Sequence, residues 1–265
     1  YWQNLLAAVV SLVKKVAAEE VSPRFLKVVT HRKTDGSPFT EADLAAQAAL
    51  VQGLKAIVDC PVLGEEMSDE EQAHHWQQAQ TSALWVIDPI DGTTNFIHGI
   101  PHFAVSVALM WQGRSVLGVV YNPVTKELYT AVAGAGAALN GVSLPLAAGA
   151  KTLKEAVARI EPKHLPGRLP SRLLAAPPYA SQRNLGASTL DWCYLAAGRF
   201  DVYLHSGQKF WDYAAGALIL QEAGGWLCSL HQDDFWQCHV WQRSVVATLD
   251  ADLFVLWRNW VTDNR

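Results

Sequence analysis

Ala83-Leu84-Trp85-Val86-Ile87-Asp88-Pro89-Ile90-Asp91-Gly92-Thr93-Thr94 is the most informative segment of the chain. The apolar run Ala83 to Ile87 predicts a buried strand that stops at Asp88. A strand of this kind delivers the Asp88 carboxylate to its end. Pro89 fixes the turn and Asp91 follows, so both carboxylates can be aimed at one point. Converging carboxylates repel and are costly to desolvate unless a cation sits between them. All-oxygen ligation without His or Cys suits a hard ion, Mg²⁺ or Mn²⁺. Gly92-Thr93-Thr94 then opens a helix, where exposed backbone N–H groups receive an anion, most commonly phosphate. Metal-binding carboxylates beside an anion nest point to phosphoryl chemistry. The competing account makes Asp88 and Asp91 ordinary turn residues that cap a helix.

Further acidic residues stand where core elements meet loops. Gly64-Glu65-Glu66 follows the short strand Pro61-Val62-Leu63, and Trp211-Asp212 opens a helix. Thr40-Glu41-Ala42-Asp43 is a helix start, with Thr40 as N-cap and Asp43 in the first turn, where negative charge is favoured. Taken singly, each also reads as a solvated pair, a helix-end charge or a plain cap. Their joint occurrence in this order carries the weight.

The remaining pattern sets the architecture. An amphipathic helix covers residues 2–20, loop chemistry covers His31 to Pro38, and a polar helical segment runs from Asp69 to Gln80. Residues 103–133 predict an antiparallel meander with turns at Gln112-Gly113 and Asn122-Pro123, followed by a hairpin at Asn140-Gly141. Beyond residue 147 helices (Ser188–Gly198, Asp212–Ala223, Asp250–Val261) alternate with strands (Phe200–Leu204, Ser244–Thr248). The expectation is an α+β, or α/β, protein of two lobes. Residues 1–147 form helices plus an antiparallel sheet carrying the metal motifs, and 148–265 form a mixed α/β lobe.

Composition excludes other classes. With 265 residues, half of them hydrophobic and 17% charged, the chain can build a large core and is not disordered. The run Leu5 to Val13 is far short of the roughly 20 apolar residues needed to cross a bilayer, and no signal-peptide cleavage site follows it. A formal charge of −4 argues against nucleic acid as the partner. Cys60, Cys193, Cys228 and Cys238 make no disulfide framework and read as reduced thiols of a cytoplasmic protein. Cys228, His231, Cys238 and His239 lack the paired spacing of a zinc knuckle. The late tryptophans Trp226, Trp236, Trp241, Trp257 and Trp260 read as core or subunit-interface material.

In this setting the sequence resembles the inositol monophosphatase family of metal-dependent, lithium-sensitive phosphomonoesterases. The matching pieces are Gly64-Glu65-Glu66, Asp88-Pro89-Ile90-Asp91-Gly92-Thr93-Thr94-Asn95-Phe96, and Trp211-Asp212-Tyr213-Ala214-Ala215-Gly216 with Glu222-Ala223-Gly224-Gly225. Ser37-Pro38-Phe39-Thr40-Glu41-Ala42-Asp43 and Arg183-Asn184-Leu185-Gly186 also match, and the set spans residues 33–225. The resemblance implies a five-layer αβαβα sandwich with the active site between the lobes. It further implies that Glu65, Asp88 and the Ile90 carbonyl hold one Mg²⁺, that Asp88, Asp91 and Asp212 hold a second, and that a third, weaker ion lies near Glu65. Gly92 and Thr93 would grip phosphate through backbone amides, and Thr93, with Asp43 and Glu65, would orient the attacking water. Substrate contacts would come from Asp91, Gly92, Thr93, Gly186, Ala187, Ser188, His205 and Asp212. The family often forms homodimers.

Two positions depart from the family pattern. His205 stands seven residues before Asp212, where members acting on inositol phosphate carry a substrate-contacting glutamate. An imidazole cannot replace an acceptor-only carboxylate without a change of preference. Gly186-Ala187-Ser188 replaces the more usual Gly-Ser or Gly-Thr. The expected activity is Mg²⁺-dependent hydrolysis of a small sugar or polyol phosphate resembling inositol 1-phosphate. The alternatives are 3′(2′),5′-bisphosphate nucleotidase, to whose loop Lys33-Thr34-Asp35-Gly36-Ser37-Pro38 is similar, histidinol phosphatase and fructose-1,6-bisphosphatase. A regulatory protein of the RNA machinery is the non-enzyme alternative.

Overall fold

The alternation of side chains along the central strands sets the layers. A computed structural model describes residues 2–27, 29–33, 36–79 and 81–265. Thr34 and Asp35 of the nucleotidase-like loop, and Gln80 at the end of the polar segment, lie outside the described residues. On β4 (Ala83–Asp91), Trp85 and Ile87 enter one core, while Leu84 and Val86 enter another on the opposite face. The same split recurs on β5 (Ala104–Trp111), with Val105, Val107 and Leu109 against Ala104, Ala108 and Met110.

The first core is closed by α1 (Gln3–Val16) and α2 (Glu41–Ile57). The predicted helix over 2–20 is thus α-helical only to Val16 and continues as a π-helical turn, Ala17–Val21. A small antiparallel pair, β1 (Thr30–Arg32) and β2 (Pro38–Thr40), precedes α2. After β3 (Val62–Gly64) and α3 (Asp69–Ala79), β4 and β5 lead into β6 (Arg114–Asn122), β7 (Glu127–Val132), β8 (Ala137–Leu139) and β9 (Val142–Ser143). These seven strands form one sheet in the order β3-β4-β5-β6-β7-β8-β9, antiparallel except for β3 with β4. The predicted meander and hairpin are both present.

One strand end differs from expectation. β4 does not stop at Asp88 but pairs with β5 as far as Asp91, with Asp88 opposite Ser106 and Asp91 opposite Ala104. Three steps on one strand match two on the other, so a β-bulge absorbs the extra residue. Pro89 lacks an N–H for the ladder and is accommodated at such a bulge.

The second sheet has the order β11-β10-β12-β14-β13, built from β10 (Val157–Glu161), β11 (Ser181–Arg183), β12 (Val202–Gln208), β13 (Trp226–Cys228) and β14 (Arg243–Thr248). Between the two sheets lie α6 (Ser188–Ala196) and α7 (Phe210–Glu222). Nearly every residue of α7 from Phe210 to Leu220 is buried, as befits a helix covered on all sides. The short α4 (Thr93–Ile97) sits at the end of β4, and α5 (Leu169–Ala175) and α8 (Ala251–Asp263) cover the outer face of the second sheet. The layers are therefore helix, sheet, helix, sheet, helix, an α+β fold. The first sheet ends at Ser143 and the second begins at Val157, and a proposed lobe boundary at 147/148 falls in the connecting stretch. Among the described residues, no helix is long and apolar enough to cross a membrane.

Candidate functional site

The β4 bulge turns two carboxylates toward a third from α7. Asp88 and Asp91 are 1% and 7% exposed. Asp212, in the first turn of α7, accepts the Lys209 N–H at 2.9 Å. Ligand atoms of Asp88, Asp91 and Asp212 all lie within 4.8 Å of one another. They line a cleft of about 190 Å³ together with Glu65, Ile90, Gly92, Thr93 and Gly186. Ser37, Pro38 and Thr94, not singled out from the sequence as site residues, line it too.

The electrostatics call for a cation. Burial, and then the charges of Glu65, Asp91 and Asp212, drive the Asp88 carboxyl well above the ordinary carboxylate range. Burial does the same to Asp212, with Asp91 and Glu65 adding repulsion. Burial pushes Asp91 up to about 6, although hydrogen bonds from Thr189 and Ser188 favour its charged form. A compact set of oxygen donors that resists ionisation on its own fits a hard divalent ion.

Glu65 borders the same cleft, but its Oε1 is paired with Lys33 Nζ at 2.9 Å, and Lys33 also reaches Glu66 Oε1 at 2.7 Å. Burial opposes the Lys33 charge, yet the two glutamates outweigh it and its pKa rises. Glu66 is pushed up to about 7 by burial and by repulsion from Glu65. The backbone beneath is braced by two amides: Gln47 Oε1 accepts the Glu66 N–H at 3.0 Å, and Gln72 Nε2 donates to the Gly64 carbonyl at 3.0 Å.

Thr40 caps α2 and shares a reciprocal capping box with Asp43. Asp43 Oδ2 accepts the Thr40 N–H at 2.7 Å and its hydroxyl at 2.6 Å. Its other oxygen faces the Thr93 hydroxyl at 3.3 Å, and that hydroxyl also lies 3.0 Å from the Ile90 carbonyl. Burial lifts Asp43 to about 6 against these bonds. Gly92 has φ +88°, and a Cβ there would stand 3.1 Å from the His102 carbonyl and 3.2 Å from the Ala187 Cβ, so only glycine fits this turn.

The residues proposed for substrate contact separate here. Gly186 lines the cleft. Ala187 is fully buried, and the Ser188 N–H is committed to Asp91 Oδ1 at 3.1 Å. His205 is not among the cleft-lining residues. It sits on β12 beside Glu161, and its Nδ1 accepts the Gly207 N–H at 3.1 Å. Burial lowers its pKa to about 4. Thr189 and Lys33 emerge as supports that sequence reasoning did not assign. A Ser-Thr pair at a helix start was the only signal for Thr189.

A buried acidic cluster at a strand bulge, next to a glycine turn and enclosed by this layered fold, defines a phosphatase. The chain belongs to the inositol monophosphatase family, whose model matches residues 2–258. It is 41% identical over 209 residues to the Nus factor SuhB of Pseudomonas aeruginosa, covering 76% of this chain and 75% of that protein. To the inositol-1-monophosphatase of Rhizobium meliloti it is 45% identical over 168 residues, covering 62% of this chain and 59% of that protein. Among solved structures, the extragenic suppressor protein suhB of Bartonella henselae matches with TM-score 0.82 at 29% identity, over 99% of this chain and 100% of that one. The Thermotoga maritima IMPase matches with TM-score 0.78 at 27% identity, over 97% and 98%.

Proposed function

We propose that the chain is a Mg²⁺-dependent phosphomonoesterase acting on a small sugar or polyol phosphate resembling inositol 1-phosphate. The observation that carries this reading is the gathering of Asp88, Asp91 and Asp212 oxygens within 4.8 Å of one another beside Gly92 and Thr93. Asp88, Asp91 and Asp212, with Glu65 and the Ile90 carbonyl, would hold two or three Mg²⁺ ions, with Mn²⁺ as a substitute. When bound, such ions supply Lewis acidity and charge neutralisation for in-line displacement at phosphorus.

The protein's own groups do the positioning. Backbone N–H groups at Gly92 and Thr93 receive the phosphate oxygens. The Thr93 hydroxyl, held between Asp43 and the Ile90 carbonyl, orients the attacking water. Asp43, with its pKa near 6, accepts a proton through Thr93 close to neutral pH. Gly186 faces the ester, and Asp91 and Asp212 would hold an ion that neutralises the charge on the leaving oxygen, which takes its proton from solvent water. Ser, Cys and His supply no covalent nucleophile in this scheme.

Lithium sensitivity, a homodimer and a cytoplasmic location accompany this reading. A second reading, a regulatory role in the RNA machinery, draws on the Nus factor SuhB relatives. The net charge of −4 disfavours direct nucleic-acid contact in that role. A phosphate-release panel with and without Mg²⁺, covering inositol 1-phosphate, histidinol phosphate, fructose 1,6-bisphosphate and 3′-phosphoadenosine 5′-phosphate, tests the assignment. Mg²⁺-stimulated, Li⁺-inhibited release from the polyol ester supports it, and no release from any ester overturns it.

A further inference from the structure

We propose that Asn95 is a positioning residue for the phosphate ester: its side-chain amide sets the spacing between the Gly92 turn, which receives the phosphate, and the Gly186 wall, which faces the ester. The inference rests on the phosphomonoesterase reading of the cleft and adds to it a residue that acts through two of the cleft walls. Asn95 lies in α4, three residues after Gly92, and is 6% exposed. Its Nδ2 donates to the His102 carbonyl at 2.7 Å and to the Leu185 carbonyl at 2.7 Å. Both amide protons are thereby used, so the group is fixed in rotation.

The His102 bond acts on the phosphate turn. Asn95 closes the stretch 96–102 a second time through its own carbonyl, which accepts the Ile100 N–H at 2.9 Å. The His102 carbonyl so held is the atom that a Cβ on Gly92 would meet at 3.1 Å. The Leu185 bond acts on the other wall, 90 residues further along the chain. A Cβ on Gly186 would stand 3.3 Å from Asn95 Nδ2 and 3.4 Å from its Oδ1, and the Gly186 carbonyl lies 3.3 Å from the place a Cβ on Gly92 would take. Gly92, His102 and Gly186 therefore pack around one amide, and Gly92 and Gly186 line the cleft. Two carbonyl oxygens converge on this point, and only a double donor satisfies both away from water. The metal-facing carboxylate nearby has its own support, because Asp91 Oδ2 is held by the Thr189 N–H and hydroxyl. Removing the amide should thus shift the Gly186 wall against the phosphate turn and leave the acidic cluster in place.

The test compares the full chain with Asn95→Asp and Asn95→Ser. Asn95→Asp keeps the shape and sets carboxylate oxygens against two carbonyls, whereas Asn95→Ser leaves one short donor and no charge. Three quantities are measured: kcat/KM for inositol 1-phosphate, the Mg²⁺ concentration for half-maximal turnover, and the calorimetric affinity for inorganic phosphate in the presence of Mg²⁺. A misplacement of about 1 Å costs about a hundredfold in rate, so kcat/KM should fall by about that factor in Asn95→Asp and by less in Asn95→Ser. Phosphate affinity should fall about tenfold, the worth of one hydrogen bond, with the Mg²⁺ requirement within about twofold of the parent. Parent values of kcat/KM and phosphate affinity in folded variants, whatever their melting temperatures, overturn the proposal. A Mg²⁺ requirement that rises in step with the loss of turnover overturns it too. If Asn95→Asp does not fold, Asn95→Ser decides by the same criteria. A parent chain that binds phosphate but releases none from any ester removes the phosphomonoesterase reading instead, and the phosphate affinities of the variants then decide the role of Asn95. Absence of phosphate binding to the parent chain overturns both.

Discussion

Asp91 Oδ2 accepts both the N–H of Thr189, at 2.7 Å, and its hydroxyl, at 2.6 Å, across 98 residues of chain. The bulged end of β4 is thereby tied to the first turn of α6, so a helix far along the chain sets the aim of a carboxylate supplied by the first sheet. Thr189→Val keeps the shape and removes the hydroxyl. It should cost about 1.5–3 kcal/mol, the range for a hydrogen bond to a charged group, and should weaken Mg²⁺-dependent turnover as well. Urea denaturation and phosphate release check the two effects, and an unchanged urea midpoint would refute the tie.

The site carboxylates act against one another in the absence of a cation. Asp88→Asn, Asp91→Asn or Asp212→Asn should lower turnover by orders of magnitude. Asp88→Asn and Asp212→Asn should leave the melting temperature of the metal-free protein unchanged or raise it, because each removes a charge that burial already disfavours. Near-normal turnover in a folded Asp88→Asn protein would sink the assignment of these residues.

Metal removal gives a second handle. Mg²⁺ that binds only the native state should raise stability by about 2.7 kcal/mol at a hundredfold excess over Kd. EDTA should reverse the shift in a thermal melt, and Asp88→Asn should show little of it. A melt indifferent to Mg²⁺ at every concentration would count against the proposed ligands.

Acid should act through a histidine outside the cleft. The His102 ring packs edge-on against Tyr194, its Nε2 is buried without a partner among the described residues, and burial followed by the nearby Arg159 charge lowers its pKa to about 4. The unfolded imidazole takes up its proton near 6.5. Between those two values the unfolded chain holds more protons, so the His102 contribution to stability is complete above pH 6.5 and is lost as pH falls toward 4. Guanidinium midpoints at pH 7 and pH 4.5 should therefore differ less in His102→Phe than in the parent protein. An identical difference would show that this ring is not an acid trigger.

α6 and α7 cross at Gly216, where an added Cβ would stand 2.5 Å from both Cβ and Cγ of Trp192. Gly216→Ala forces that indole aside in a filled core and should destabilise by about 1–3 kcal/mol. The urea midpoint should fall accordingly, and retention of the parent midpoint would show that the interhelical layer is looser than its contacts indicate.

Strand and helix periods, turn residues and apolar runs, local signals that the packing reinforces, were enough to read an antiparallel sheet with helices followed by a mixed α/β part, while the five-layer order was implied by the resemblance to the inositol monophosphatase family. Sequence alone also named Asp88, Asp91 and Asp212, since each carboxylate stands at an abrupt change from apolar to polar chain. The β4 continuation through Asp91 was hidden, because whether Pro89 ends a strand or sits in a bulge depends on the partner strand. Only the tertiary structure decided that Thr189 fixes Asp91, that Lys33 bridges Glu65 and Glu66, and that His205 lies opposite Glu161 in the second sheet. It also set the Asn95 amide against the Leu185 carbonyl. Each of these is a contact between elements far apart in sequence, formed by the way the layers stack, and no local propensity encodes it.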